Sequence, residues 1–118
     1  MEKQPIALFQ QLKETRFTKQ VMYKSNDCTI FILNFLPGQQ MPAHYHIGAE
    51  LFLHVLQGNG TFTYDGRDLE VSKDDVVHCG GTKKLAFTNT GTENVSIYVT
   101  LSKVNDENIN SIEKSESC

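Results

Sequence analysis

Long apolar runs, an excess of positive charge and a paired-cysteine framework are all missing from this 118-residue chain. No stretch approaches the roughly 20 consecutive apolar residues that span a bilayer, so no membrane segment is expected. Lys and Arg total 11 against 14 Asp and Glu, a formal net charge of -3. The basic surplus that draws a protein to a phosphate backbone is therefore absent, and nucleic acid is not an expected partner. Cys28, Cys79 and Cys118 are an odd set with no C-x-x-C spacing, which fits reduced thiols rather than a disulfide framework. The polar opening MEKQPIALFQQ lacks the basic stretch and apolar core of a secretory signal. These features point to a soluble cytoplasmic protein, and the length suits one domain rather than two independent cores.

What the chain does contain is a series of short apolar or alternating runs, rich in Val, Ile, Phe, Tyr and Thr and separated by Gly and Asn turns. Such runs announce strands and hairpins. Strands are expected near Phe17 to Tyr23, Cys28 to Leu36, Met41 to His46, Leu51 to Gln57, Gly60 to Tyr64, Arg67 to Val71, Val76 to Cys79, Leu85 to Asn89 and Val95 to Ser102. That number of strands predicts an all-β sandwich or barrel. Asp65-Gly66, between TFTY and RDLEV, is the strongest hairpin signal, because a two-residue turn of the favoured twist needs positive φ at both central positions. Asn59-Gly60 and Thr90-Gly91 mark further reversals. Ile6 to Leu12 fits a short amphipathic helix or an opening strand, with helix favoured. Residues 1–16 thus read as an N-terminal arm, 17–102 as the barrel and 103–118 as a polar tail with little apolar surface to offset its ordering entropy. Cys118 in that tail reads as inert.

Chemistry concentrates in MPAHYHIGAE. On a strand, His44 and His46 send both imidazoles to one face, because side chains alternate with period two. Two ligands then converge, and imidazoles with a nearby carboxylate suit divalent ions such as Mn, Fe, Ni, Zn or Cu. Gly38, His44, His46 and Glu50, in the order G-x5-H-x-H-x3-E, with Pro37 before and VLQG (Val55 to Gly58) after, resemble the first motif of the cupin superfamily. The resemblance spans roughly Thr29 to Ser102 and implies a single cupin domain, a double-stranded β-helix or jelly-roll barrel. It also implies a metal held by His44, His46 and Glu50. One spacing departs from the family. Seven residues, not six, separate Glu50 from Gly58, so counting back from Gly58 puts Leu51 in the carboxylate position. Glu50 reaches a metal only if a bulge absorbs the extra residue.

The segment KDDVVHCGGTKKLAFTN, Lys73 to Asn89, resembles the second cupin motif, whose histidine completes the ligand set. Leu85 stands where that histidine belongs, and no histidine follows His78. His54 cannot replace it beside Glu50, since four residues of extended strand span roughly 13 Å, against the ~4 Å that two ligands of one ion can bridge. Leu85, Phe87, His78 and Cys79 are candidate pocket residues, with Leu85 and Phe87 sharing one strand face. The expected function is binding of a small organic molecule around a weakly coordinated divalent ion. The alternatives are a metal-dependent dioxygenase, isomerase or decarboxylase, and a metal-free binding or sensor protein. By analogy with small cupins, the apolar arm (Ile6, Leu8, Phe9, Leu12) suggests a homodimer formed by sheet extension or arm exchange.

Overall fold

The Asp65-Gly66 turn adopts φ values of 51° and 83°, the paired left-handed conformation that a tight hairpin of native twist demands. It joins two strands of a nine-strand architecture in a computed structural model that describes residues 1–104. The polar tail expected from residue 103 falls, beyond Val104, outside the described residues. The strands are β1 (Thr18–Lys24), β2 (Cys28–Phe35), β3 (Gln40–His44), β4 (Ala49–Gln57), β5 (Asn59–Tyr64), β6 (Arg67–Ser72), β7 (Val76–Gly80), β8 (Leu85–Thr88) and β9 (Val95–Lys103). They form two antiparallel sheets, ordered β1-β2-β9-β4-β7 and β3-β8-β5-β6.

Alternation along each strand decides what is buried. In β4, Ala49, Leu51, Leu53 and Val55 point inward, while Phe52 stays exposed and Glu50 and His54 are only partly covered. In β2 and β9 the inner positions are Phe31, Leu33, Phe35, Val95, Ile97 and Val99, all in one continuous core. Phe87 lies at the centre, its ring 4.8 Å from both Phe35 and Phe62. Burial of each such side chain contributes about 1.5–3 kcal/mol. Asn89, also buried, donates from its side chain to the carbonyls of Phe35 and Glu93 and accepts from the Gly91 backbone. It thereby ties the Thr90-Gly91 reversal to β2.

The arm holds less helix than expected, a single 3-10 turn at Ile6–Phe9. A run this short cannot overcome the unfavourable nucleation of a helix on its own. The arm instead rests on the outer face of the larger sheet. Gln4 donates to the Met22 carbonyl, Thr18 donates to that of Gln11, and Asn34 donates to that of Phe9 at 2.8 Å. Asn34 is fully buried and also accepts from Ser96 at 2.7 Å. This outer layer is polar and satisfied, distinct from the apolar interior.

Candidate functional site

The first histidine strand is not regular. Met41 pairs with Phe87 and His44 pairs with Leu85, with a register shift between them. Positions three apart cannot share a face on a regular strand; the irregularity at Pro42 and Ala43 allows both Met41 and His44 to turn inward. The strand then ends at His44, two residues short of the expected His46. The expected convergence of the rings survives this ending, with centroids 4.4 Å apart and planes 59° to each other.

His46 is held from outside the strand ladder. Its backbone N–H donates to the Gly81 carbonyl at 3.2 Å, and its own carbonyl accepts from Ala49 at 3.0 Å. A Cβ on Gly81 would overlap the His46 carbonyl oxygen. Glycine at 81 is thus a condition for the position of His46. His44 is fixed differently: Nδ1–H donates to the Pro42 carbonyl at 2.8 Å. That bond sets the tautomer of the neutral ring and leaves Nε2 as an acceptor.

Both rings line a cavity of about 290 Å³ between the sheets, with walls that include Phe31, Leu33, Met41, Leu51, Leu53, Leu85 and Val99. Among the described residues, its polar side chains are His44, His46 and Lys19. Lys19 faces inward from the edge strand β1, opposite Leu33, and its Nζ lies 4.4 Å from the centre of the Phe31 ring. Burial, then repulsion from His44, then repulsion from the Lys19 ammonium hold the pKa of His46 down to about 4. The imidazole is neutral at pH 7.

Other expected site residues lie elsewhere. Glu50 is on the opposite face of β4 from the cavity, where its carboxylate accepts from the ring Nε2 of His78 at 2.5 Å, and the His78 ring stacks on Phe52 at 4.7 Å. The physical reason is parity. The register shift in β4 falls between Val55 and Gln57, at the far end of the strand from Glu50, so nothing re-aims the carboxylate and Leu51 takes the inward position. His78 is directed outward by the same alternation in β7. Cys79 is turned inward and 1% exposed, and Phe87 is likewise buried, but both belong to the packed core rather than the cavity wall. Leu85 does line the cavity. His54 contacts Asp74 at 3.3 Å on the outer surface.

This donor set does not fit a resident metal ion. Catalytic divalent sites normally use three protein ligands. Here two imidazoles meet Leu51 and Leu85 where a carboxylate and a third histidine would stand, and a lysine ammonium faces the same space. Among the described residues, no three His, Cys, Asp or Glu side chains group closely enough to hold an ion. Lys19, Leu51 and Leu53 were not singled out in the sequence. The signal for Lys19 was available, since it shares strand parity with Phe17, another cavity residue.

Known proteins share this architecture. A match to the cupin domain family covers residues 31–101, more than half of the chain. No curated protein matches. Among solved structures, a double-stranded β-helix domain protein of Klebsiella pneumoniae is 15% identical with a TM-score of 0.82, over 89% of this chain and 92% of that one. An RmlC-like cupin protein of Desulfovibrio desulfuricans is 23% identical with a TM-score of 0.77, over 86% of this chain and 96% of that one. A protein of Thermus thermophilus is 14% identical with a TM-score of 0.82, over 87% and 98%. At these identities the likeness establishes the fold, a double-stranded β-helix.

Proposed function

Because the chain belongs to the cupin domain family, we propose that it binds a small organic molecule between its two sheets without a resident metal ion. The observation that carries this reading is the cavity itself: apolar walls, two imidazoles on one side, and leucines at the two remaining ligand positions. Small-molecule sites are typically concave and apolar with a few aimed polar groups. A cavity of ~150 Å³ takes up a benzene, so about 290 Å³ accommodates one ring with a short substituent, or a chain of similar bulk. Neutral His46 and the Nε2 acceptor of His44 then orient the ligand's polar end. The metal-dependent dioxygenase, isomerase and decarboxylase alternatives lose support, since each assumes an ion for which this donor set offers two imidazoles and no carboxylate.

The test uses the four histidines as reporters. Protein treated with a chelator is titrated with hexan-1-ol while the imidazole Cε1–H signals are followed by NMR. His44 and His46 are expected to shift, and His54 and His78, on the outer surface, to stay still. Val99→Phe, which fills the cavity, should remove the response. Binding that appears only after Zn, Mn, Ni or Fe is added would overturn the metal-free reading.

A further inference from the structure

We propose that Lys19 makes this cavity selective for ligands with an anionic head on an apolar body, a small hydrophobic carboxylate being the simplest case. The inference rests on the pocket reading above and extends it from a shape to a charge.

Lys19 is solvent-exposed while lining an otherwise largely apolar cavity, so its stem packs on the wall and its ammonium stays hydrated. Edge strands do carry lysines that discourage pairing with other chains. Such a lysine serves that purpose wherever it points, and this one points at the site. Its Nζ lies over Phe31, whose side chain forms part of the cavity wall. Among the described residues, no acidic side chain lines the cavity to neutralise it; Glu50, next in sequence to the cavity residue Leu51, is engaged with His78 on the other face of β4. In a chain of net charge -3, a lysine on the cavity wall is a local reversal of sign.

The ligand chemistry follows from these groups. The apolar body occupies the space among Leu33, Leu51, Leu53 and Leu85. The carboxylate lies at the mouth, where the Lys19 ammonium donates to it, and the protonated nitrogen of neutral His46 can donate a second hydrogen bond. Hydrogen bonds to an ionised acceptor are about twice as strong as neutral ones. A neutral head of the same shape gains less, and a cationic head meets repulsion from Lys19.

The experiment compares hexanoate, hexanamide and hexylamine, which share one body, at pH 7.5 and low salt, by calorimetry and by the His44 and His46 NMR signals. Hexanoate is expected to bind about 10-fold more tightly than hexanamide, and hexylamine more weakly than either. Lys19→Met keeps the stem's apolar contact and removes the charge. It should bring hexanoate down to the affinity of hexanamide while leaving hexanamide unchanged. If hexanamide binds as well as hexanoate, or if the preference persists in Lys19→Met, the charge selectivity is wrong and the pocket reading stands. If none of the three perturbs His44 or His46 in the wild-type protein, the pocket reading fails and this inference with it.

Discussion

Titration of His46 offers a quantitative test of the site, because its environment opposes protonation from three directions. In an unfolded chain the ring takes a proton near pH 6.5; in the folded protein it does so only near 4, because of burial, His44 and Lys19 in that order. Between those values the unfolded chain binds a proton that the folded one refuses. Stability associated with the neutral ring is therefore complete above about pH 6.5 and falls as the pH drops toward 4. At pH 5 the full difference would be about 2 kcal/mol. The ring is only partly shielded from water, so the expected loss is nearer 1 kcal/mol. The measurement is urea unfolding of wild-type protein and His46→Gln at several pH values from 7.5 to 4.5. The variant removes this one titration and keeps the acid sensitivity of every other group. The gap between the two stability curves should narrow or reverse by about 1 kcal/mol in favour of the variant as the pH falls to 5. Parallel curves, or a His46 signal titrating near 6.5 by NMR, would refute the described enclosure of the ring.

Other expected outcomes follow from packing and ligand geometry. Gly81→Ala forces a Cβ into the His46 backbone and should destabilise the fold by about 1–3 kcal/mol, with His46 the most displaced of the four histidine NMR signals. Leu51→Glu combined with Leu85→His supplies the two absent donors. This double variant should lose several kcal/mol without metal, because two buried leucines are sacrificed, yet retain about one Zn or Ni per chain through desalting where wild type retains almost none. Phe87→Ala opens a void between Phe35 and Phe62 and should lower stability by about 3–5 kcal/mol in chemical unfolding, while a hexan-1-ol titration of the surviving folded protein still shifts His44 and His46.

The strands were readable because the forces that shape them are local. Asp65-Gly66 announced its hairpin, and the alternation in β4 and β9 announced two sheets with an apolar interior. The histidine pair was readable for the same reason, although the strand ends at His44 and leaves the second ring to a bend held by Gly81. Glu50 shows where local reading stops. Its spacing from Gly58 revealed one extra residue, but not which end of β4 absorbs it; that is decided by the pairing of Val55 and Gln57 with β9. Cys79 and Phe87 have the inward parity expected of pocket residues, yet lie within the packed interior because neighbouring strands cover them. Lys19 was missed because a charged residue in a strand reads first as solvent-facing, and it is indeed exposed; its parity with Phe17 gave its face, and the position of β2 beside it gives its contact with Phe31.

The contact between Asn34 and the arm bears on how the chain can be shortened. An amide sealed under the leading segment cannot be uncovered without exchanging matched partners for unmatched ones, so that segment belongs to the cooperative unit despite holding only one 3-10 turn. Trimming before Gln4 should be harmless. A cut after Phe9 would strip the carbonyl partner from a buried amide, and the damage would register on the face of the larger sheet that points away from the cavity.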